Sequence, residues 1–125
     1  MKAIVIAVGN ELTSGECVDT NSAWLSRKLG AMGIDTIEHC TIGDSAEQIA
    51  AAISRAATSG DVVLVSGGLG PTADDVTRRA LAQAMGRRLV TDRRQLERIE
   101  ERFRRGGRAF RRRARSPPAK TGAAR

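Results

Sequence analysis

Two short segments hold the residues of this sequence best suited to chemistry. Ser66-Gly67-Gly68-Leu69-Gly70-Pro71-Thr72-Ala73-Asp74-Asp75 gathers three glycines, hydroxyl groups and two adjacent carboxylates. Glycines permit positive φ and close backbone approach, which leaves amide N–H groups free to face an anion. Pro71 stiffens the turn, Thr72 adds a hydroxyl, and a helix starting here would present its positive end as a phosphate seat. Asp74 and Asp75 would repel a phosphate unless a divalent cation bridged them to it, since hard cations prefer oxygen ligands. They would equally serve as caps of the following helix, and the residues alone leave both roles open. The second segment, Gly9-Asn10-Glu11-Leu12-Thr13-Ser14-Gly15, brings another carboxylate in Glu11. Neither segment is a Gly-Lys-Ser/Thr phosphate loop or a Gly-x-Gly-x-x-Gly dinucleotide fingerprint, so the two commonest nucleotide-binding motifs are excluded.

Both segments follow apolar runs of strand length. Ala3–Val8 reads as a strand covered on both faces, and Val62–Val65 as a short buried strand. Between them, Thr20–Met32 places Leu25, Leu29 and Met32 on one helical face, with Gly33 as a left-handed stop. Ile34–Ile42 alternates as a second strand. Asp44, three residues before Glu47, has the spacing of a capping box and opens a helix with Ile49, Ala52, Ile53, Ala56 and Ala57 as its apolar stripe. A third helix, Asp74–Met85, turns Val76, Ala80, Leu81 and Ala84 inward. The strand–helix alternation predicts an α/β fold, a layered and mostly parallel sheet with flanking helices. In such a sheet chemistry sits beyond the carboxyl ends of the strands, where both segments lie.

The formal net charge of +7 is unevenly distributed. Residues 1–86 hold 6 Lys/Arg against 10 Asp/Glu, whereas residues 87–125 hold 15 against 4. An acidic body with a basic end places any nucleic-acid binding in the end alone, and that end lacks the interleaved aromatics of base stacking, so no nucleic-acid partner is expected. Arg88–Val90 suits a short edge strand. Asp92–Arg105 suits an amphipathic helix, with Leu96, Ile99 and Phe103 on one face and Glu100–Arg104 and Glu101–Arg105 as supporting pairs. The organisation expected is a domain over 1–105 and a disordered basic tail over 106–125, where Phe110 is the only large apolar side chain. Cys17 and Cys40 fit neither a disulfide framework nor paired zinc spacing. His39 is expected at the surface or in a structural role, and Trp24 in packing. Without a leader-like segment or an apolar run of about 18 residues, the chain is expected to be soluble and cytoplasmic, with no membrane partner.

The motifs GNELTSG (9–15), DTN (19–21) and SGGLGPTADDVTRRAL (66–81) together resemble the N-terminal domain of the CinA competence/damage-inducible family, within the MoaB/Mog molybdopterin-binding superfamily. The likeness spans about 1–103 and is strongest at GGLGPTADD. It implies a molybdopterin-binding-like fold and a small-molecule nucleotide or pterin phosphate as partner. It further implies hydrolysis of the pyrophosphate bond of ADP-ribose with a divalent cation, Mg2+ being the natural choice. By this resemblance Gly67, Gly68, Gly70, Thr72, Asn10 and Asn21 bind the ligand, Asp74 and Asp75 are catalytic, and Asp74, Asp75 and Glu11 hold the cation. Homo-oligomers are common among such relatives. Asn10 departs from the family's Gly-Asp-Glu, keeping an oxygen but losing a charge. The Asn-Pro…Gly-x-Ala-Pro-Gly continuation is missing after Phe103, so the fold is expected to be incomplete at its C-terminal end. A non-catalytic molybdopterin- or nucleotide-binding module and an inactive truncated remnant are the alternatives.

Overall fold

The structure is a computed structural model that describes residues 1–70, 76–107 and 119–121. The chain divides into two units, Met1–Gly86 and Arg87–Arg125.

The first unit is built on β1 (Lys2–Val8), whose residues 3–8 are all buried. A run this apolar needs cover on both faces and neighbours on both edges. It lies at the centre of a parallel sheet of order β2-β1-β3, where β2 is Asp35–Ile42 and β3 is Val62–Ser66. The period-two alternation of β1 then divides the core. Ile4, Ile6 and Val8 point to one face, which is covered by α3 (Ala46–Ser59) and α4 (Thr77–Ala84) through Ile49, Ala52, Ile53, Ala56, Val76 and Ala80. Ala3 and Val5 point to the other face and meet Leu25 and Leu29 of α2 (Thr20–Ala31). The molecule therefore has the layered α/β arrangement that the sequence predicts.

The helix ends explain the lengths. Asp19 caps α2 by accepting from the Ser22 N–H at 3.0 Å. At the other end Gly33 has φ +75°, and the bonds from Ile34 N–H to the Leu29 carbonyl and from Gly33 N–H to the Gly30 carbonyl form a Schellman closure. That closure ends the helix one residue earlier than expected and turns Met32 out, so it is exposed rather than on the apolar face. Asp44 does not cap α3. Ser45 does, accepting from the Gln48 N–H, and Asp44 is used elsewhere. Ala57, counted in the apolar stripe, is exposed, and Ala50 is buried in its place. Strand β3 is half-buried along its length rather than fully covered. Trp24, expected in packing, is 52% exposed, with the Lys28 ammonium 5.4 Å from its ring centre.

In the second unit β4 (Leu89–Thr91) pairs antiparallel with β5 (Ala119–Thr121). Strand β5 falls within 106–125, the stretch expected as a disordered tail, most of which lies outside the described residues. Backbone pairing lets a three-residue segment form without an apolar run of its own. Asp92 caps α5 (Arg93–Arg105) by accepting from the Gln95 N–H at 3.2 Å. Glu101 pairs with both Arg105 and Arg104 at 2.8 Å. Phe103 is exposed, while Leu96 and Ile99 are half-buried. No described helix is long and apolar enough to cross a membrane.

Candidate functional site

The first crossover leads from β1 to β2 with α2 on one face. The second leads to β3 on the other side of β1, with α3 on the opposite face. The connections leaving the carboxyl ends of β1 and β3 therefore diverge, and a crevice opens between them. The two segments singled out from sequence, 9–15 and 66–75, start at this crevice.

Close backbone approach dictates the glycine loop. Gly67 has φ +95°, and a side chain there would run into the Val8 carbonyl at the end of β1. Gly68 has φ +61°, and a Cβ would collide with the Thr77 hydroxyl. That hydroxyl donates to the Gly67 carbonyl at 2.8 Å, and the Thr77 N–H donates to the Gly68 carbonyl at 3.3 Å. Thr77 is 3% exposed. The loop is thus held between the end of β1 and the start of α4. Leu69 and Gly70 lie at the surface, where the Arg78 guanidinium reaches the Gly70 carbonyl at 3.5 Å. Thr77 and Arg78 stand within the 66–81 motif, but neither has a role legible from sequence, because both read as part of an ordinary helical turn. The rule that buried helix-start residues bond to the preceding loop was the available signal.

Thr72, Asp74 and Asp75 lie outside the described residues. The helix expected from Asp74 begins, among the described residues, at Thr77.

The first segment is not an open loop. It winds into a one-turn helix, α1 (Asn10–Thr13), after Gly9 N–H has extended the sheet by bonding the Ile42 carbonyl at 2.9 Å. The Asp44 N–H donates to Asn10 Oδ1 at 2.9 Å, and the Asn10 N–H donates to Asp44 Oδ2 at 3.4 Å. This reciprocal pair fastens the connection after β1 to the connection after β2, so the Asn10 oxygen expected to bind ligand is already engaged. It also gives Asn10 a physical rationale, because an aspartate there would place a second carboxylate beside Asp44. Glu11 folds back over its own loop and fills the space a Gly9 side chain would need. Asn21 is exposed in the first turn of α2, and the neighbouring Ser22 is buried with its hydroxyl unpartnered among the described residues.

Replacing Asp44 by Ala should remove the bond accepted from the Asn10 N–H while the Asp44 backbone N–H stays on Asn10 Oδ1, and so cost about 0.5–1 kcal/mol, the range for one partly exposed hydrogen bond. Urea unfolding of Asp44→Ala beside Asp44→Asn checks this. Asn retains an oxygen acceptor, so its loss should be smaller.

Of the three residues expected to hold a cation, only Glu11 is described. Among the described residues no three His, Cys, Asp or Glu side chains come together. These residues alone do not make a cation site. His39 is exposed, its Nε2 2.6 Å from the Ser26 hydroxyl. Cys17 and Cys40 are free thiols, and Cys40 Sγ lies 3.7 Å from the Arg55 guanidinium. That contact, together with Glu38 at 3.0 Å, raises the Arg55 pKa above its ordinary value.

A parallel three-stranded core with a glycine loop latched at its switch point defines a class that comparison with known proteins makes specific. Residues 4–124 match the family described as "Probable molybdopterin binding domain", and the chain belongs to that family. Within it, similar sequences include CinA-like proteins and putative competence-damage inducible proteins. The chain is 46% identical over 108 residues to a CinA-like protein of Geobacter sulfurreducens and 47% identical over 108 residues to one of Geobacter metallireducens. In both cases 86% of this chain is covered but 26% of the relative, so the chain spans about a quarter of their length. The crystal structure of CinA from Thermoplasma acidophilum superposes with a TM-score of 0.79 at 35% identity, covering 82% of this chain and 63% of that one. MoaB of Thermus thermophilus shares the fold, with a TM-score of 0.64 at 21% identity over 72% of this chain and 57% of that one.

Proposed function

We propose that this chain is a CinA-type phosphate-binding module whose ligand is a small-molecule nucleotide or pterin phosphate. The observation that carries the reading is the glycine loop at the switch point. Two successive positive-φ residues sit at the start of a helix, with the Arg78 guanidinium beside them. Backbone amides in such a nest receive anions, and a nearby cationic side chain adds attraction.

The finer reading is hydrolysis of ADP-ribose at its pyrophosphate bond, water adding to one phosphorus to release AMP and ribose 5-phosphate. In that reading Gly67, Gly68, Gly70 and Thr72 hold the diphosphate, and Asn10 and Asn21 also bind the ligand. Asp74 and Asp75 carry catalysis and, with Glu11, hold the cation. A bound Mg2+ would supply charge neutralisation and a more acidic water. Glu11 folded over Gly9 favours the second reading, a module that binds without turnover. Homo-oligomerisation and a cytoplasmic location belong to the same proposal.

Incubating the full chain with ADP-ribose and magnesium tests both. Appearance of AMP, lost on Asp75→Ala while binding persists, supports the hydrolase. Binding without AMP supports the module. An Asp75→Ala rate equal to wild type overturns the assigned role of Asp75.

A further inference from the structure

We infer that Thr77 is a positioning residue that aims the amides of Gly68 and Leu69 at the ligand's phosphate, an inference that rests on the phosphate-binding reading above. The argument begins with peptide geometry. Among the described residues no peptide bond is cis, so each carbonyl and the N–H across its plane point in opposite directions. The Gly67 carbonyl is turned toward Thr77 by the hydroxyl at 2.8 Å, and this turns the Gly68 N–H away from Thr77. The Gly68 carbonyl is turned toward Thr77 by its N–H at 3.3 Å, and this turns the Leu69 N–H away likewise. One buried residue thus gathers two successive carbonyls. It leaves two successive amides directed to the outer side of the loop, where Leu69 is 59% exposed.

Without this latch nothing in the two glycines would select that orientation. With no Cβ, each peptide plane can rotate and present a carbonyl where an anion needs a donor. The backbone N–H of Thr77 would survive any substitution other than proline, so the side-chain hydroxyl is the replaceable half of the device. Burial sharpens its effect, because a Gly67 carbonyl that loses its donor inside the protein is driven to rotate toward water.

The experiment compares Thr77→Val, which keeps shape and removes the hydroxyl, with Thr77→Ser, which keeps the hydroxyl. The full chain and both variants are titrated with ADP-ribose and, separately, with inorganic pyrophosphate. Thr77→Val should bind both on the order of tenfold more weakly, as expected for a loss near 1.4 kcal/mol, with Thr77→Ser close to wild type. Amide resonances are recorded on the same samples without ligand. The Gly68 nitrogen, across the peptide from the bonded carbonyl, should shift in Thr77→Val and not in Thr77→Ser. Wild-type affinity in Thr77→Val overturns the positioning role, even if its unfolding temperature falls. A wild-type chain that takes up neither probe overturns the phosphate reading instead. The latch is then decided by the nitrogen resonance, and an unshifted Gly68 overturns it.

Discussion

Gly67→Ala lowers the stability of the Met1–Gly86 unit by about 3 kcal/mol or more, the largest single-residue effect expected in the loop. Two costs combine. A non-glycine residue held near φ +95° carries strain of roughly 1–2 kcal/mol. The added methyl also meets the Val8 carbonyl, a backbone group fixed in the central strand that cannot swing aside. Either the end of β1 shifts or the loop leaves the crevice. Small domains are stable by about 5–15 kcal/mol, so the change consumes a large share of that margin.

Adjacent substitutions separate the two costs. Gly68→Ala also sits at positive φ, but its methyl meets a side-chain hydroxyl, and Thr77 can rotate by giving up its bond to Gly67. About 2 kcal/mol is the expected loss, accompanied by weaker phosphate binding. Gly33→Ala has positive φ and open space around it, so strain alone remains, about 1 kcal/mol. Urea midpoints at constant slope give the ranking. A Gly67→Ala chain no less stable than Gly33→Ala would mean that the loop does not pack on the end of β1 in solution.

The same residues show how far the sequence could be read. Strand β1 was legible because six consecutive apolar residues admit few placements other than a central strand. The αL stop at Gly33 was legible because one residue type serves that geometry. The glycine loop was legible as a site for the same reason, since three glycines in five residues have no use in a helix or strand. What escaped is what depends on partners distant in sequence. Asp44 has capping-box spacing, yet Ser45 is one residue nearer the helix, and Asn10, 34 residues away in sequence, offers Asp44 a better partner. Met32 fits the apolar periodicity, but the Schellman closure decides its exposure. Thr77 is invisible as a site residue because its role arises only when the loop folds back on α4. Strand β5 escaped because short backbone pairing leaves little mark on composition.

The second large effect tests the division of the core by β1. Ile6→Ala should cost about 3–4 kcal/mol, within the range for truncating a buried isoleucine. Ile6 is fully buried on the face shared by Ile49, Ile53 and Ala80, which belong to two different helices. Neither helix can close the void without leaving its other contacts, so the cavity persists and the loss approaches the upper part of the range. Ile37 is the comparison. It lies on β2 at the register shift opposite Ala3/Ile4, where it is skipped in the pairing and is 48% exposed. Ile37→Ala removes the same atoms and should cost no more than about 1 kcal/mol, because solvent already reaches the side chain. Both variants are measured by urea unfolding. Similar losses at the two positions would mean that β1 is not the buried centre of the sheet. A large gap establishes that the crevice rests on a strand whose two faces are committed to different helices. In that case the positions of the loops after β1 and β3 are set by the core beneath them rather than by the loops themselves.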